Sequence, residues 1–108
     1  MISVVISKHN GEYKSFTFDG HAEYDDPGKD IVCAAVSVLV INTINSIERF
    51  TDDAFTTDFN EERGFIETRF TEPISEKSKL LMDSMLLGLD EIQKQYGDEY
   101  LSLLHKEV

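Results

Sequence analysis

The chain has 108 residues, 41% of them hydrophobic and 29% charged, and a formal net charge of −11. That length accommodates one domain with a core of its own, expected over residues 1–108, and the apolar share excludes an intrinsically disordered chain. Acidity of this size repels phosphate backbones, so direct RNA or DNA binding is not expected, whereas a basic partner would be attracted.

The N-terminus, Met1 to Ile6, lacks the basic segment of a signal peptide and reads as a strand, with Ile2, Val4 and Ile6 on one face. His9-Asn10-Gly11-Glu12 is a turn signal. In the strand that follows, Phe16 and Phe18 share a face opposite Tyr13, Ser15 and Thr17, which completes a β-hairpin. Residues 22–29 contain Asp25-Asp26-Pro27-Gly28 and read as a loop. Asp30 is then a natural N-cap for a central, mostly buried helix from Ile31 to Phe50. The longest apolar run, Ile31 to Ile44, is interrupted by Ser37, Asn42 and Thr43 and falls short of the roughly 20 residues of a membrane span.

A second hairpin is predicted from Ala54 to Phe70, turning at Glu61-Glu62-Arg63-Gly64. Ser75 caps a second helix whose apolar stripe is Leu81, Met85, Leu89 and Ile92; Gly97 stops it, and Asp98 caps a last turn carrying Leu101 and Leu104. The order ββαββα predicts a two-layer α+β fold: two helices on a mainly antiparallel, four-stranded sheet. The first helix is apolar on more than one face, which points to a homodimer.

The chemistry concentrates in Gly20-His21-Ala22 and Asp30-Ile31-Val32-Cys33-Ala34-Ala35-Val36-Ser37. Cys33 is the sole cysteine, so no internal disulfide forms and a cytoplasmic location is expected. Two readings of it compete. A free cysteine among Val32, Ala34 and Val36 is ordinarily a small buried hydrophobe. With Asp30 as N-cap, however, Cys33 falls in the first helical turn, where unpaired amides and the helix dipole favour a thiolate. His21 closes the second strand just before the loop and would exchange a proton with the thiol. Amides from Ile31 to Cys33 would then form an oxyanion hole. Asp30 reads either as a structural cap or as a group orienting His21, and Ser37, one turn beyond Cys33, either as a neighbour of the nucleophile or as a helical serine bonded to its own backbone. His9 and His105 fall at a turn and near the C-terminus, and Asp52-Asp53 and Glu61-Glu62 at turns, where they act as solvated caps. One cysteine with scattered histidines has no metal-ligand spacing, so neither metal nor cofactor is expected.

These two motifs, with Gly28 in the loop between them, resemble the signature of the ribosomal-processing cysteine proteases called Prp, and the resemblance extends over the whole chain. It implies a homodimeric cytoplasmic endopeptidase that removes a short N-terminal extension from a large-subunit ribosomal protein, cutting after a segment like Phe-Phe-Ala. Under it His21 matches the catalytic histidine and Cys33 the nucleophile. Gly20, Asp30 and Ser37 support the site. Glu23, Tyr24, Asp25, Asp26, Pro27, Gly28 and Lys29 match a loop over the substrate cleft; Pro27 and the two aspartates set this version of the loop apart. Two rival readings remain at the level of sequence: a non-catalytic acidic adaptor docking a basic ribosomal partner, with an inert Cys33, and a redox-sensing thiol, which the absence of a resolving cysteine disfavours.

Overall fold

The structure, a computed structural model, describes residues 1–20 and 27–108, with the backbone alone over 27–30. The elements are β1 (Ile2–His9), β2 (Glu12–Asp19), α1 (Pro27–Phe50), β3 (Phe55–Asn60), β4 (Phe65–Phe70), α2 (Glu76–Tyr96) and β5 (Leu101–Glu107). They form one five-stranded mixed sheet in the order β3-β4-β2-β1-β5. Both predicted hairpins are present and antiparallel.

The expectation of four antiparallel strands is corrected at the C-terminus. Leu101 to Glu107, expected as a last turn after Gly97, is a strand running parallel to β1, with Ile2 opposite Leu101 and Ile6 opposite His105. Parallel partners require a crossover connection, and α2 provides it. Nothing local in Leu101-Ser102-Leu103-Leu104 announces a partner almost a hundred residues away.

Alternation of side chains puts Ile2, Val4 and Ile6 on one face of β1, where all three are fully buried. Across the ladder Val4 lies opposite Phe18 and Ile6 opposite Phe16. The register shifts between Ser7 and Lys8, so that Lys8 pairs with Tyr13 and Lys14 is the extra residue of a bulge. That one-residue slip turns Tyr13 to the same buried face as Phe16 and Phe18, against the strict alternation expected of the sequence. Its hydroxyl donates to Asp83 of α2, an acceptor a buried phenol needs, and burial together with that carboxylate pushes the Tyr13 pKa upward.

Both helices join the strands in one hydrophobic cluster, with Val32, Val36, Val40 and Ile47 from α1 and Met82, Met85 and Leu89 from α2. Leu39 seats against Gly88 at the helix crossing, where an added Cβ would lie 2.6 Å from Leu39 Cδ2.

Three expectations for α1 need correction. It starts at Pro27, not after Asp30, so Pro27, Gly28 and Lys29 belong to its first turn and not to a loop. Proline suits that position, since its missing N–H is one that a helix start leaves unpaired. The helix is also less buried than expected, for Ile31 and Val38 are 54% and 68% exposed. Finally, Ile31–Phe50 has a mean hydropathy of 1.8 and is long and apolar enough, by length and composition, to cross a membrane. In this fold one side of it is packed on the sheet.

Candidate active site

Cys33 is half-buried at the edge of the core and is the seventh residue of α1, in its second turn. The N-terminal position expected from an Asp30 cap is therefore displaced by a full turn. Asp30 itself is helical, its side chain outside the described residues. The amides of Ile31 to Cys33, expected to be free, belong to the helical hydrogen-bond ladder; the amides without a partner inside this helix are those of its first turn, Gly28 and Lys29 among them.

The structure brings one predicted residue directly to the sulfur. Gly20, buried at the end of β2, places its carbonyl 3.8 Å from Cys33 Sγ as acceptor for the thiol hydrogen. A larger residue would have to push its neighbours aside. A Cβ on Gly20 would lie 2.6 Å from Phe18 Cζ and 3.2 Å from Cys33 Sγ. The small residue does not merely leave room, as the sequence suggests; it sits in contact with the thiol. Ser37 follows one turn after Cys33 on the same side of α1 and is half-buried. His21 and the loop residues Glu23, Tyr24, Asp25 and Asp26 lie outside the described residues.

Gly64, which sequence reading passed over, is part of this neighbourhood. Its carbonyl accepts the Gly20 N–H at 2.8 Å, and its φ of +68° is a left-handed conformation natural to glycine. Gly64 in a hairpin loop signals a positive φ, but its contact with β2 is visible only in three dimensions. Beside it, Arg63 reaches Asp19 at 3.4 Å and lies over the Phe65 ring, 5.1 Å from its centroid.

An apolar groove of about 250 Å³ lies farther along α1, between the helix and the β3–β4 hairpin; Ile41, Ile44, Phe59 and Ile66 line it. The other candidates lie elsewhere. His9 Nδ1 is 2.7 Å from the Val108 carbonyl, and His105 is exposed on β5. Among the described residues, no group of three or more His, Cys, Asp and Glu side chains is arranged to hold a metal ion.

The family model described as cysteine protease Prp matches residues 1–101. This chain belongs to that family. It is a cysteine protease, a hydrolase of peptide bonds. The ribosomal processing cysteine protease Prp of Bacillus subtilis is 29% identical over 103 residues, covering 91% of this chain and 92% of the relative. Its Staphylococcus aureus counterpart (strain NCTC 8325) is 27% identical over 99 residues, covering 91% and 93%. Among solved structures, the S. aureus ribosomal processing protease Prp in complex with a substrate peptide matches with a TM-score of 0.91 at 27% identity, covering 98% of this chain and 100% of that one. The same enzyme with a covalently linked product peptide matches at 0.87 and 28% identity, with equal coverage.

Proposed function

We propose that this Prp-family protease removes a short N-terminal extension from a large-subunit ribosomal protein during ribosome assembly, with Cys33 as nucleophile and His21 as its acid–base partner. The observation that carries the reading is the half-buried Cys33 sulfur lying against the Gly20 carbonyl, one residue before His21. In this mechanism His21 takes the thiol proton as Cys33 Sγ attacks the scissile carbonyl carbon. The carbonyl oxygen becomes an oxyanion, with the first-turn amides of α1 at Gly28 and Lys29 as its proposed donors. As the tetrahedral intermediate collapses, the C–N bond breaks, the leaving amine takes the proton from His21, and a thioester remains on Cys33. Water, deprotonated by His21, then attacks the thioester; the new carboxylate departs and the thiol is restored. The S. aureus relative with a covalently linked product peptide supports covalent chemistry of this kind.

Asp30 and Ser37 are supporting residues in this reading, and the segment 23–29 is assigned to substrate contact, its last three residues belonging to the first turn of α1. A net charge of −11 favours a basic ribosomal protein as substrate and disfavours nucleic acid, so no direct contact with RNA is proposed. The apolar groove at Ile41, Ile44, Phe59 and Ile66 would seat large apolar side chains of the substrate. Ribosome assembly places the enzyme in the cytoplasm; no membrane role is proposed. The domain is proposed to comprise residues 1–108 and to act as a homodimer. The support for dimerisation is a line of exposed residues on α1: Ile31, Ala34, Val38, Ile41 and Asn45. Their spacing of three and four alternately is that of a helix–helix seam.

The test is cleavage of a ribosomal-protein peptide carrying its extension, with both fragments weighed by mass spectrometry. Cys33→Ala and Cys33→Ser are expected to abolish cleavage while leaving the circular dichroism spectrum unchanged. Cleavage at the parental rate by Cys33→Ala would refute the assignment.

A further inference from the structure

We infer that Gly64, in the β3–β4 turn, is a positioning residue for the Cys33 thiol and acts through Gly20. The inference rests on the proposal that Cys33 is the nucleophile. Gly20 is wedged between the Phe18 ring and the sulfur: the space a Cβ would need is taken by Phe18 at 2.6 Å and 2.9 Å and by Cys33 Sγ at 3.2 Å. Any movement of Gly20 is therefore felt at the thiol, whose hydrogen its carbonyl accepts. Gly20 follows the last residue of β2, so the strand's ladder does not by itself hold it. The Gly64 carbonyl does, at 2.8 Å from the Gly20 nitrogen.

The turn that presents this carbonyl is itself built to hold its shape. Gly64 N–H donates to the Glu61 carbonyl at 3.2 Å, and Arg63 N–H donates to Asn60 Oδ1 at 3.1 Å. The Arg63 guanidinium reaches back to Asp19, so the turn grips two consecutive residues at the end of β2. The φ of +68° at Gly64 aims its carbonyl across to that strand end. An L-residue without a short polar side chain resists this conformation, whereas asparagine adopts it readily. Space is not the obstacle, because a Cβ on Gly64 would stand 3.5 Å from the Gly20 backbone, an ordinary contact. Backbone conformation alone decides which residue works.

The experiment compares Gly64→Ala with Gly64→Asn in the full chain, at a temperature where both are folded, with turnover expressed per titrated Cys33 thiol. Gly64→Ala is expected to lower kcat about tenfold with KM changed less than about twofold, the mark of a lost orientation in the reacting complex and not of lost substrate binding. Gly64→Asn is expected to restore kcat to within about threefold of the parent. A merely structural glycine would change the unfolding temperature and leave kcat per folded molecule alone. Parental kcat in Gly64→Ala, or an asparagine variant no better than alanine, overturns the inference. Should Gly64→Ala not fold, Arg63→Ala is read instead, since it loosens the same grip; a fall in kcat of about threefold at unchanged KM is expected, and parental kcat overturns the inference. Cys33→Ser, assayed alongside, separates the two claims. Its continued cleavage would sink the nucleophile assignment and this inference together, whereas an inactive Cys33→Ser beside a fully active Gly64→Ala sinks this inference alone.

Discussion

At Cys33, position along the helix changes the chemistry that can be argued. A cysteine in the first turn would meet the amides of the helix start directly; Cys33, in the second turn, meets the carbonyl of Gly20. The proposed mechanism therefore assigns removal of the thiol proton to a partner base, since the effect of a helix dipole is confined to the first turn. His21 is the proposed base. His21→Ala is accordingly expected to slow peptide cleavage by about a hundredfold or more, the usual weight of general acid–base catalysis. The same change is expected to slow alkylation of Cys33 by iodoacetamide at neutral pH, because fewer thiols would be ionised. Equal alkylation rates in parent and variant would dissolve the pairing. The spacing of G-H-A and D-I-V-C-A-A-V-S singles out both residues in the sequence as candidates. The grip on Gly20 is not legible there, because Gly64 is separated from it by 44 residues of chain and joined only by a backbone bond.

Among the elements, α2 is the one whose start and stop were plainest in the sequence, and Ser75 and Gly97 cap it as expected. The surprise is Asp53. Its position in a turn predicts a solvated cap, whereas its carboxylate accepts from the Ser75 amide at 3.0 Å, the Ser75 hydroxyl at 2.6 Å and the Ser78 hydroxyl. One side chain thereby ties the segment leaving α1 to the first turn of α2. Desolvation of the carboxylate opposes its charge, but the bonds from Ser75, Ser78 and Thr51 outweigh it and lower the Asp53 pKa below the usual 3.8. A depressed carboxylate pKa contributes stability that is complete above the unfolded value and disappears as the pH falls through the folded one. Asp53→Ala is therefore expected to cost about 1 kcal/mol at neutral pH, the scale of a lost helix cap, and to lower Tm by about 5 °C. Below about pH 4 the gap between variant and parent should close. Thermal unfolding at several pH values checks this; a constant gap down to pH 2 would remove the charge from the explanation.

Over the whole molecule, the sheet is covered by two helices, and the outer side of α1 leaves apolar side chains in solvent. Ile31, Val38 and Ile41 are 54%, 68% and 39% exposed on a helix whose other side is fully packed. Such a face is costly in water, and the proposed homodimer would bury it. Val38 sits in the middle of the seam, so Val38→Glu is expected to shift the dimer to monomer at micromolar concentration by placing like charges opposite each other. Sedimentation equilibrium measures this directly, and a parent chain that sediments as a monomer would end the dimer proposal. The same hydropathy that makes α1 look able to cross a membrane is satisfied on one side by the sheet, with Val32, Val36, Val40 and Ile47 fully buried.

The sequence by itself determined the two hairpins, both helices and the family to which the chain belongs, because each is written in local alternation, turn residues and motif spacing. Helix α1 was legible as an element, but its start was misread: Asp30 looks like a cap and Pro27-Gly28 like a loop, and only the folded chain decides that proline opens the helix. Tertiary structure alone decided the parallel fifth strand, the bulge that buries Tyr13 and the contact of Gly64 with Gly20. The fifth strand and the Gly64 contact join segments distant in sequence, the bulge sits within one hairpin, and all three are made by backbone hydrogen bonds, which carry no side-chain signature for a pattern to reveal.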